Sequence, residues 1–261
     1  LGEKKRLRLG RGAKQGDEAV SDLSLVSLTD TRSATAEAYR HLRTSLLFSS
    51  AGRAPQAILV TSSQPSEGKT TTAINTAITL AQSGAEVVII DCDLRRPRLH
   101  SRFELSNETG LTNYLSGDDN PEALLQEHSE LQNLKIITCG PIPPNPTELL
   151  GSEEMRNLLQ FLRENFDHVI VDSPPAISFT DAAILSTMVD GVVLVAMAGK
   201  SSLQLMKKFK QRLSAIGARI YGVVLNGITS DSVEYGYYGY GYNQYYAHQT
   251  EEPDPPDENQ L

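Results

Sequence analysis

The sequence is poor in cysteine, in long apolar runs and in positive charge, and each scarcity excludes a class of protein. The two cysteines, Cys92 and Cys139, lie far apart, which excludes a disulfide framework and suits a reducing compartment. The longest apolar run, residues 191–198, has the length of a strand and falls short of the roughly 18–20 residues that a membrane span needs. A net charge of -8 argues against a nucleic-acid-binding protein, which usually presents a basic face.

The remaining charge is distributed unevenly along the chain. Residues 1–14 carry six basic side chains and one acid, whereas the last twelve residues carry five acids and no base. No secretory signal pattern is present at the start. The basic start resembles the cytosolic flank of a membrane helix, although a solvated leader explains the same charges equally well.

Between these ends, short runs rich in valine and isoleucine alternate with helical patterns. Strands are predicted over residues 57–61, 87–91, 135–138, 168–172, 191–196 and 220–225. Helices are predicted from Ser33 onwards and over residues 69–82, 152–165, 181–187 and 202–215. This alternation predicts an α/β fold with a mostly parallel sheet covered by helices on both faces. We expect a flexible arm over residues 1–32, one folded domain over 33–230, and a disordered acidic tail over 231–261.

A phosphate-binding loop is predicted where the first strand meets the first long helix. Residues 60–72 read Val-Thr-Ser-Ser-Gln-Pro-Ser-Glu-Gly-Lys-Thr-Thr-Thr, although Ser63 replaces the first glycine of the general P-loop pattern. In a strand–loop–helix context, backbone N–H groups and the positive helix end cradle phosphate oxygens. Lys69 would then reach the β- and γ-phosphates, and Thr70 would ligate Mg²⁺. The candidate nucleotide-binding residues are Ser66, Glu67, Gly68, Lys69, Thr70 and Thr71.

Two further strands end in carboxylates. Asp91 ends one strand, and Asp93 follows two positions later, so both can face the same side. Asp172 ends another strand, as a Walker B carboxylate does. Solvated acids at strand ends are a common alternative for any one of them. Three such strands in one α/β chain make a nucleotide site the better interpretation, because ligands bind at the carboxyl edge of such sheets.

Together these residues resemble the bacterial tyrosine kinases of capsule and exopolysaccharide export. The similarity includes a Pro-x-Glu-Gly-Lys-Thr loop at 65–70, an Asp-x-Asp-x-Arg element at 91–95 and an Asp-x-Pro-Pro element at 172–175. It extends to Pro-Pro-Asn-Pro-x-Glu-Leu-Leu at 143–150 and to the tyrosine-rich end, and covers roughly residues 30–246. Ser66 stands where the family commonly has glycine, which predicts a slightly different backbone there.

The resemblance implies ATP and Mg²⁺ as cofactors, a MinD/ParA-like P-loop NTPase architecture, and a role for each acid. Lys69 is a catalytic residue, Asp91 and Asp172 organise the metal and its waters, and Asp93 is the candidate base for an incoming tyrosine hydroxyl. Asn226, which ends the last predicted strand, would contact adenine; a turn-capping role is the alternative.

The end of the sequence supplies candidate acceptors for phosphate. Seven of the ten tyrosines lie between residues 235 and 246, next to acids and among glycines. A stacking surface for sugars or nucleic acid is the alternative interpretation, and the acidic setting argues against nucleic acid. The candidate phosphoacceptors are Tyr235, Tyr237, Tyr238, Tyr240, Tyr242, Tyr245 and Tyr246.

The resemblance also implies partners and a location. Glu37, Arg40 and Arg43 match a family motif at the interface between subunits of a ring, although the residues alone would suggest a solvated helix face. A membrane-spanning co-polymerase region, fused or separate, and a cognate tyrosine phosphatase are the other expected partners. The expected location is the cytoplasmic face of the plasma membrane.

Three other functions remain open. A MinD/ParA-like regulatory ATPase would usually carry a second lysine early in the P-loop, and residues 62–67 contain none. A nucleotide-gated scaffold without kinase activity would not need the intact set of Lys69, Thr70 and the three aspartates. A metabolic kinase would need a lid over a small substrate, which no segment suggests.

Overall fold

The computed structural model describes residues 25–50, 52–118, 120–176 and 180–228. Within them, seven strands form one sheet in the order β3-β4-β2-β5-β1-β6-β7. Every pairing is parallel except that of β3 with β4. The strands are β1 (Ala57–Ser62), β2 (Val87–Asp91), β3 (Gln126–Glu127), β4 (Leu134–Ile137), β5 (His168–Asp172), β6 (Gly191–Met197) and β7 (Ile220–Asn226).

Helices cover both faces of this sheet, as expected for parallel strands joined by crossovers. They are α1 (Val26–Thr29), α2 (Ala34–Leu47), α3 (Lys69–Gln82), α4 (Leu99–Arg102), α5 (Leu111–Leu115), α6 (Pro146–Leu150), α7 (Glu153–Asn165), α8 (Asp181–Ser186) and α9 (Leu203–Ala215), with a 3₁₀ turn at Glu122–Leu124. Serine side chains cap three of them: Ser33, Ser152 and Ser202 each accept a hydrogen bond from a backbone N–H of the first turn.

The central strands are buried on both faces because each contributes alternate side chains to two apolar layers. Ile58 and Val60 of β1 pack with Ile74 and Ile78 of α3 on one side. Leu59 points to the opposite layer, which includes apolar side chains of α7, α8 and α9. All residues of β1, β2 and β5 are buried, which explains why their sequences are continuous apolar runs rather than alternating ones.

This topology brings the candidate site together. β1 lies between β5 and β6, and β2 lies on the other side of β5, so the loop before α3 and the ends of β2 and β5 meet at one edge. Asp91 and Asp172 are register partners at the ends of adjacent strands. The carboxyl edge of the sheet therefore carries Lys69 and the three predicted acids.

The sequence-based prediction of α/β architecture is confirmed, and the predicted strands and long helices agree with the structure to within one residue at each end. The expected arm over residues 1–32 is wrong for its last part. Residues Val26 and Ser27 of α1 are buried, and Ser27 N donates to Asn75 Oδ1 of α3 at 2.9 Å. Residues 1–24 and the predicted tail from residue 231 lie outside the described residues. Among the described helices, none has the length and apolar character that crossing a bilayer requires.

Candidate nucleotide and phosphoryl-transfer site

The loop between β1 and α3 has the backbone shape of a phosphate cradle. Gly68, which precedes α3, has a φ of 91°, and Ser66 has a φ of 61°. A Cβ on Gly68 would lie 2.3 Å from Asn226 Nδ2, so only glycine fits there. Ser66 has a left-handed conformation, which favours glycine and is strained for a residue with a side chain. Whether this backbone differs from that of the family stays a prediction.

Glu67 holds this loop from inside. Its side chain is almost completely buried and accepts hydrogen bonds from Gln64 N at 2.7 Å and from the Ser63 hydroxyl at 3.2 Å. The hydroxyl of Ser201, from the segment after β6, donates to the same carboxylate. The sequence places Glu67 among the nucleotide-binding residues, but its carboxylate binds the loop itself. Ser201 was missed because nothing in the sequence links it to a loop 134 residues earlier.

Asn226 at the end of β7 is bound to the same loop. Its side-chain amide donates to Glu67 O at 3.1 Å, to Gly68 O at 3.4 Å and to Thr72 Oγ1 at 3.1 Å. The amide nitrogen is thus engaged with the protein. Its contact with adenine stays a prediction, and the side-chain carbonyl is the group left to make it.

Lys69 and Asp93 form an ion pair at the edge of the sheet. Lys69 Nζ lies 3.0 Å from Asp93 Oδ2, and the two side chains are 14% and 5% exposed. Burial lowers the pKa of Lys69, but the charges of Asp172 and Asp93 outweigh that effect and leave the pKa raised above its ordinary value. Lys69 therefore stays charged and faces the place where nucleotide phosphates would lie.

Asp172 has a carboxylate oxygen that is suited to binding a divalent cation. Its Oδ2 accepts a hydrogen bond from Thr70 Oγ1 at 2.7 Å, whereas its buried Oδ1 has no hydrogen-bond partner among the described residues. Burial raises the pKa of Asp172 to about 6, against the lowering effect of Lys69. A buried, unsatisfied carboxylate oxygen beside a threonine hydroxyl suits Mg²⁺, which binds through few protein oxygens and keeps waters and phosphate oxygens. In the part of the chain that the structure describes, no cluster of three acids, histidines or cysteines could hold a metal alone.

Asp91 organises the loop that follows β2. Its Oδ2 accepts from the backbone N–H groups of Arg98 and Leu99 at 2.8 and 2.9 Å, and its Oδ1 accepts from Asp93 N at 3.2 Å. Burial, followed by the charge of Asp172, raises the pKa of Asp91 to about 7. The carboxylate thus fixes the backbone that presents Asp93, and its role toward the metal stays a prediction.

Arg95 anchors the same loop from the other side. Its guanidinium binds the buried carboxylate of Asp181 through Nε at 2.8 Å and Nη2 at 3.3 Å, and donates to Thr147 Oγ1 at 3.0 Å. Thr147 in turn donates to Asp181 at 2.6 Å. This contact joins the Asp-x-Asp-x-Arg element, the proline-rich segment and α8. The sequence shows Arg95 and Thr147 within family motifs but gives no sign that Asp181 connects them.

The predicted assembly residues lie on α2. Arg40 pairs with Glu37 and donates from Nη2 to Thr31 O at 2.9 Å, and Arg43 donates from Nη1 to Thr79 O of α3 at 2.9 Å. Both arginines lie off the stripe of apolar side chains on α2, so the sequence predicts that the fold does not need them. That expectation stays a prediction, although both arginines make hydrogen bonds within the chain. Their role in assembly stays a prediction. All seven candidate phosphoacceptors lie outside the described residues.

Comparison with known proteins agrees with this geometry. The family model "ParA: NUBPL iron-transfer P-loop NTPase" matches residues 53–248. The tyrosine-protein kinase YwqD of Bacillus subtilis is 39% identical over 234 residues, which are 89% of this chain and 96% of that protein. The tyrosine-protein kinase Etk of Escherichia coli is 36% identical over 86% of this chain and 31% of its own length. The solved Etk kinase domain superposes with a TM-score of 0.76 at 36% identity, over 79% of this chain and 81% of that one. This chain therefore belongs to the bacterial tyrosine-protein kinases, which are built on the ParA-type P-loop NTPase fold.

Proposed function

We propose that the chain is an ATP-dependent protein-tyrosine autokinase that phosphorylates the tyrosines between residues 235 and 246 and regulates the synthesis and export of a capsular or extracellular polysaccharide. The main support for this proposal is that Lys69 lies beside Asp93 and Asp172 at the phosphate-binding loop. A cradle alone supports nucleotide binding. A buried carboxylate facing the phosphate-binding lysine adds an acceptor for the proton of an incoming hydroxyl.

In this proposal, different groups of the site bind the phosphates and accept the proton. The loop N–H groups and Lys69 bind the phosphates, and Lys69 exchanges its contact with Asp93 for one with the transferred phosphoryl group. Asp93 then accepts the proton of the tyrosine hydroxyl as the phenolic oxygen attacks. Thr70 and Asp172 would hold Mg²⁺, and the charge that this ion supplies would neutralise the phosphates of bound ATP. Most of the acceleration comes from positioning and charge neutralisation, as in other phosphoryl transfers.

We further propose that phosphoryl transfer takes place between subunits. The acceptor tail enters a neighbouring subunit of a homo-oligomeric ring, whose interface includes Glu37, Arg40 and Arg43. Each phosphotyrosine adds about -1.5 to -2 charges, so repulsion grows with each transfer and dissolves the ring. A membrane-spanning co-polymerase region places the ring at the cytoplasmic face of the membrane, and a cognate phosphatase resets the tail.

Labelled ATP followed by phosphotyrosine detection tests the activity directly. The wild type should label its own tyrosines, and Lys69→Met should lose both labelling and tight nucleotide binding, because the charge facing the phosphates is gone. Lys210→Met, an exposed lysine on α9, is the matched control and should behave as wild type. Phosphotyrosine at the wild-type level in Lys69→Met would refute this site. ATP hydrolysis without any phosphotyrosine would favour a MinD/ParA-like regulatory ATPase, and binding without turnover a scaffold.

A further inference from the structure

A cavity of about 560 Å³ opens beside the loop that follows Asp93. Four basic residues of this loop line the cavity: Arg95, Arg96, Arg98 and His100. Gly140, Pro141 and Ile142 also line it. Its size is that of a pocket for a small ligand or a few peptide side chains.

The backbone of this loop is fixed to the acids of the transfer site. Arg96 N donates to Asp93 Oδ1 at 3.1 Å, and Arg98 N donates to Asp91 Oδ2 at 2.8 Å. The main chain of both arginines is therefore held against the carboxylates, while their side chains line the cavity. A group bound in the cavity would therefore lie close to Asp93, the proposed proton acceptor.

The cavity offers positive charge that the described residues do not neutralise. Arg95 is already paired with Asp181, but Arg96 and Arg98 are exposed and form no ion pair with any described residue. His100 Nδ1 is buried without a hydrogen-bond partner among those residues. Ile142, which also lines the cavity, is 63% exposed and supplies an apolar surface beside the charges. This combination suits a ligand that carries carboxylates and an aromatic ring.

The sequence of this chain contains a segment with that chemistry. Residues 231–261 hold seven acids and seven tyrosines, with neither lysine nor arginine. The basic start of the chain, by contrast, would be repelled from the cavity. We infer that the cavity is the docking site for the acidic, tyrosine-rich tail, and that the enzyme selects tyrosines in acidic surroundings. This inference rests on the proposed autokinase function and names its substrate class.

Carboxylates of the tail would pair with Arg96 and Arg98 as an adjacent tyrosine ring packs near Ile142. The tyrosine hydroxyl is then delivered toward Asp93. Recognition by charge rather than by a fixed sequence lets several tyrosines of the cluster use the same site in turn. The other available anion, the phosphate chain of the nucleotide, is already served by Lys69 and the P-loop.

Four full-length proteins test the inference: the wild type, Arg96→Gln/Arg98→Gln, a variant with all seven tail acids replaced by their amides, and the combination. Glutamine keeps the backbone N–H groups that bind Asp91 and Asp93. Initial autophosphorylation is measured at saturating ATP and low protein concentration, and ATP affinity is measured separately. Each change alone should slow labelling about tenfold, and the combination should be no slower than either, because both remove the same interaction.

The matched control is Arg53→Gln/Arg156→Gln, which removes two exposed arginines elsewhere on the surface. It should leave the rate of the wild-type protein unchanged, and it should likewise leave the rate of the amide-tail variant unchanged. Rates within twofold of wild type for either change, or additive effects for Arg96 and Arg98, would overturn the inference. Weaker ATP binding by the Arg96/Arg98 variant would also overturn it, since these arginines would then serve the nucleotide. Absence of phosphotyrosine in the wild type would instead refute the autokinase function itself.

Discussion

Replacing Asp93 with asparagine is expected to separate nucleotide binding from phosphoryl transfer. In the structure, Asp93 accepts from Lys69 at 3.0 Å, and both side chains are largely shielded from water. ATP must compete with this contact for the lysine. Asparagine keeps nearly the same shape but has no negative charge, and its amide is a poor proton acceptor.

The structure sets the direction and size of both effects. A hydrogen bond to a charged group contributes about 1.5–3 kcal/mol net, and part of that is regained because the amide oxygen still accepts from Lys69. The part of the Lys69–Asp93 interaction that is lost no longer competes with ATP. Its loss should tighten ATP binding by up to about tenfold, which corresponds to 1.4 kcal/mol. The loss of a positioned general base should slow phosphoryl transfer by about 10²–10⁴-fold.

Titration with a fluorescent ATP analogue gives the affinity, and single-turnover labelling of the tail gives the transfer rate. Asp118→Asn, at an exposed position away from the site, is the control and should change neither quantity. If Asp93→Asn weakens ATP binding by the same factor as it slows transfer, Asp93 is a ligand of the metal–nucleotide complex, and the reasoning from the ion pair is wrong.

Three further predictions address the loop, the buried acids and the assembly. Ser66→Gly should relieve the strain at φ 61° and raise stability by about 0.5–1 kcal/mol in thermal unfolding, whereas Ser66→Ala should not. In nucleotide-free protein with EDTA, a pKa of Asp172 raised to about 6 means that the folded state binds more protons than the unfolded state above pH 4. Stability should therefore fall as the pH rises from 5 to 8, and Asp172→Asn should reduce this fall by about 1.4 kcal/mol, since pH 5 lies one unit below the folded-state pKa; equal slopes would show Asp172 already ionised at pH 5. Arg40→Glu should convert an oligomer into monomers in light scattering and make the autokinase rate depend on concentration, whereas Arg156→Glu should do neither; a variant that remains oligomeric would contradict the ring.

Much of the fold could be predicted because its signals are local. The apolar runs of β1, β2 and β5 and the change of periodicity at Lys69 mark a strand followed by a helix wherever they occur. The two-residue strand β3 could not be predicted in this way, since Gln126 and Glu127 have no pattern and pair only because β4 is beside them. The helix α1 was missed for a similar reason, because it is stabilised by docking on α3 rather than by its own sequence.

In the candidate site, too, residues with local signals could be predicted, whereas residues defined by distant contacts could not. The roles of Lys69, Thr70 and the acids at strand ends could be predicted from their residue types and their positions in the sequence. Their partners do not: Ser201 reaches Glu67, and Asp181 reaches Arg95, across separations of 134 and 86 residues. Such contacts depend on which loops the strand order brings together, and a sequence without its topology does not contain that information.

The hydrogen bonds of Glu67 and Asn226 have a consequence for how nucleotide is received. They tie the loop between β1 and α3 to one of its own carboxylates and to the end of β7, through contacts made entirely within the protein. Binding should therefore order little additional chain, so the entropic penalty and the heat-capacity change of nucleotide association should both be small. Amide hydrogens of the cradle should already exchange slowly in the free protein, and calorimetry and hydrogen exchange on the nucleotide-free chain would measure the two effects independently.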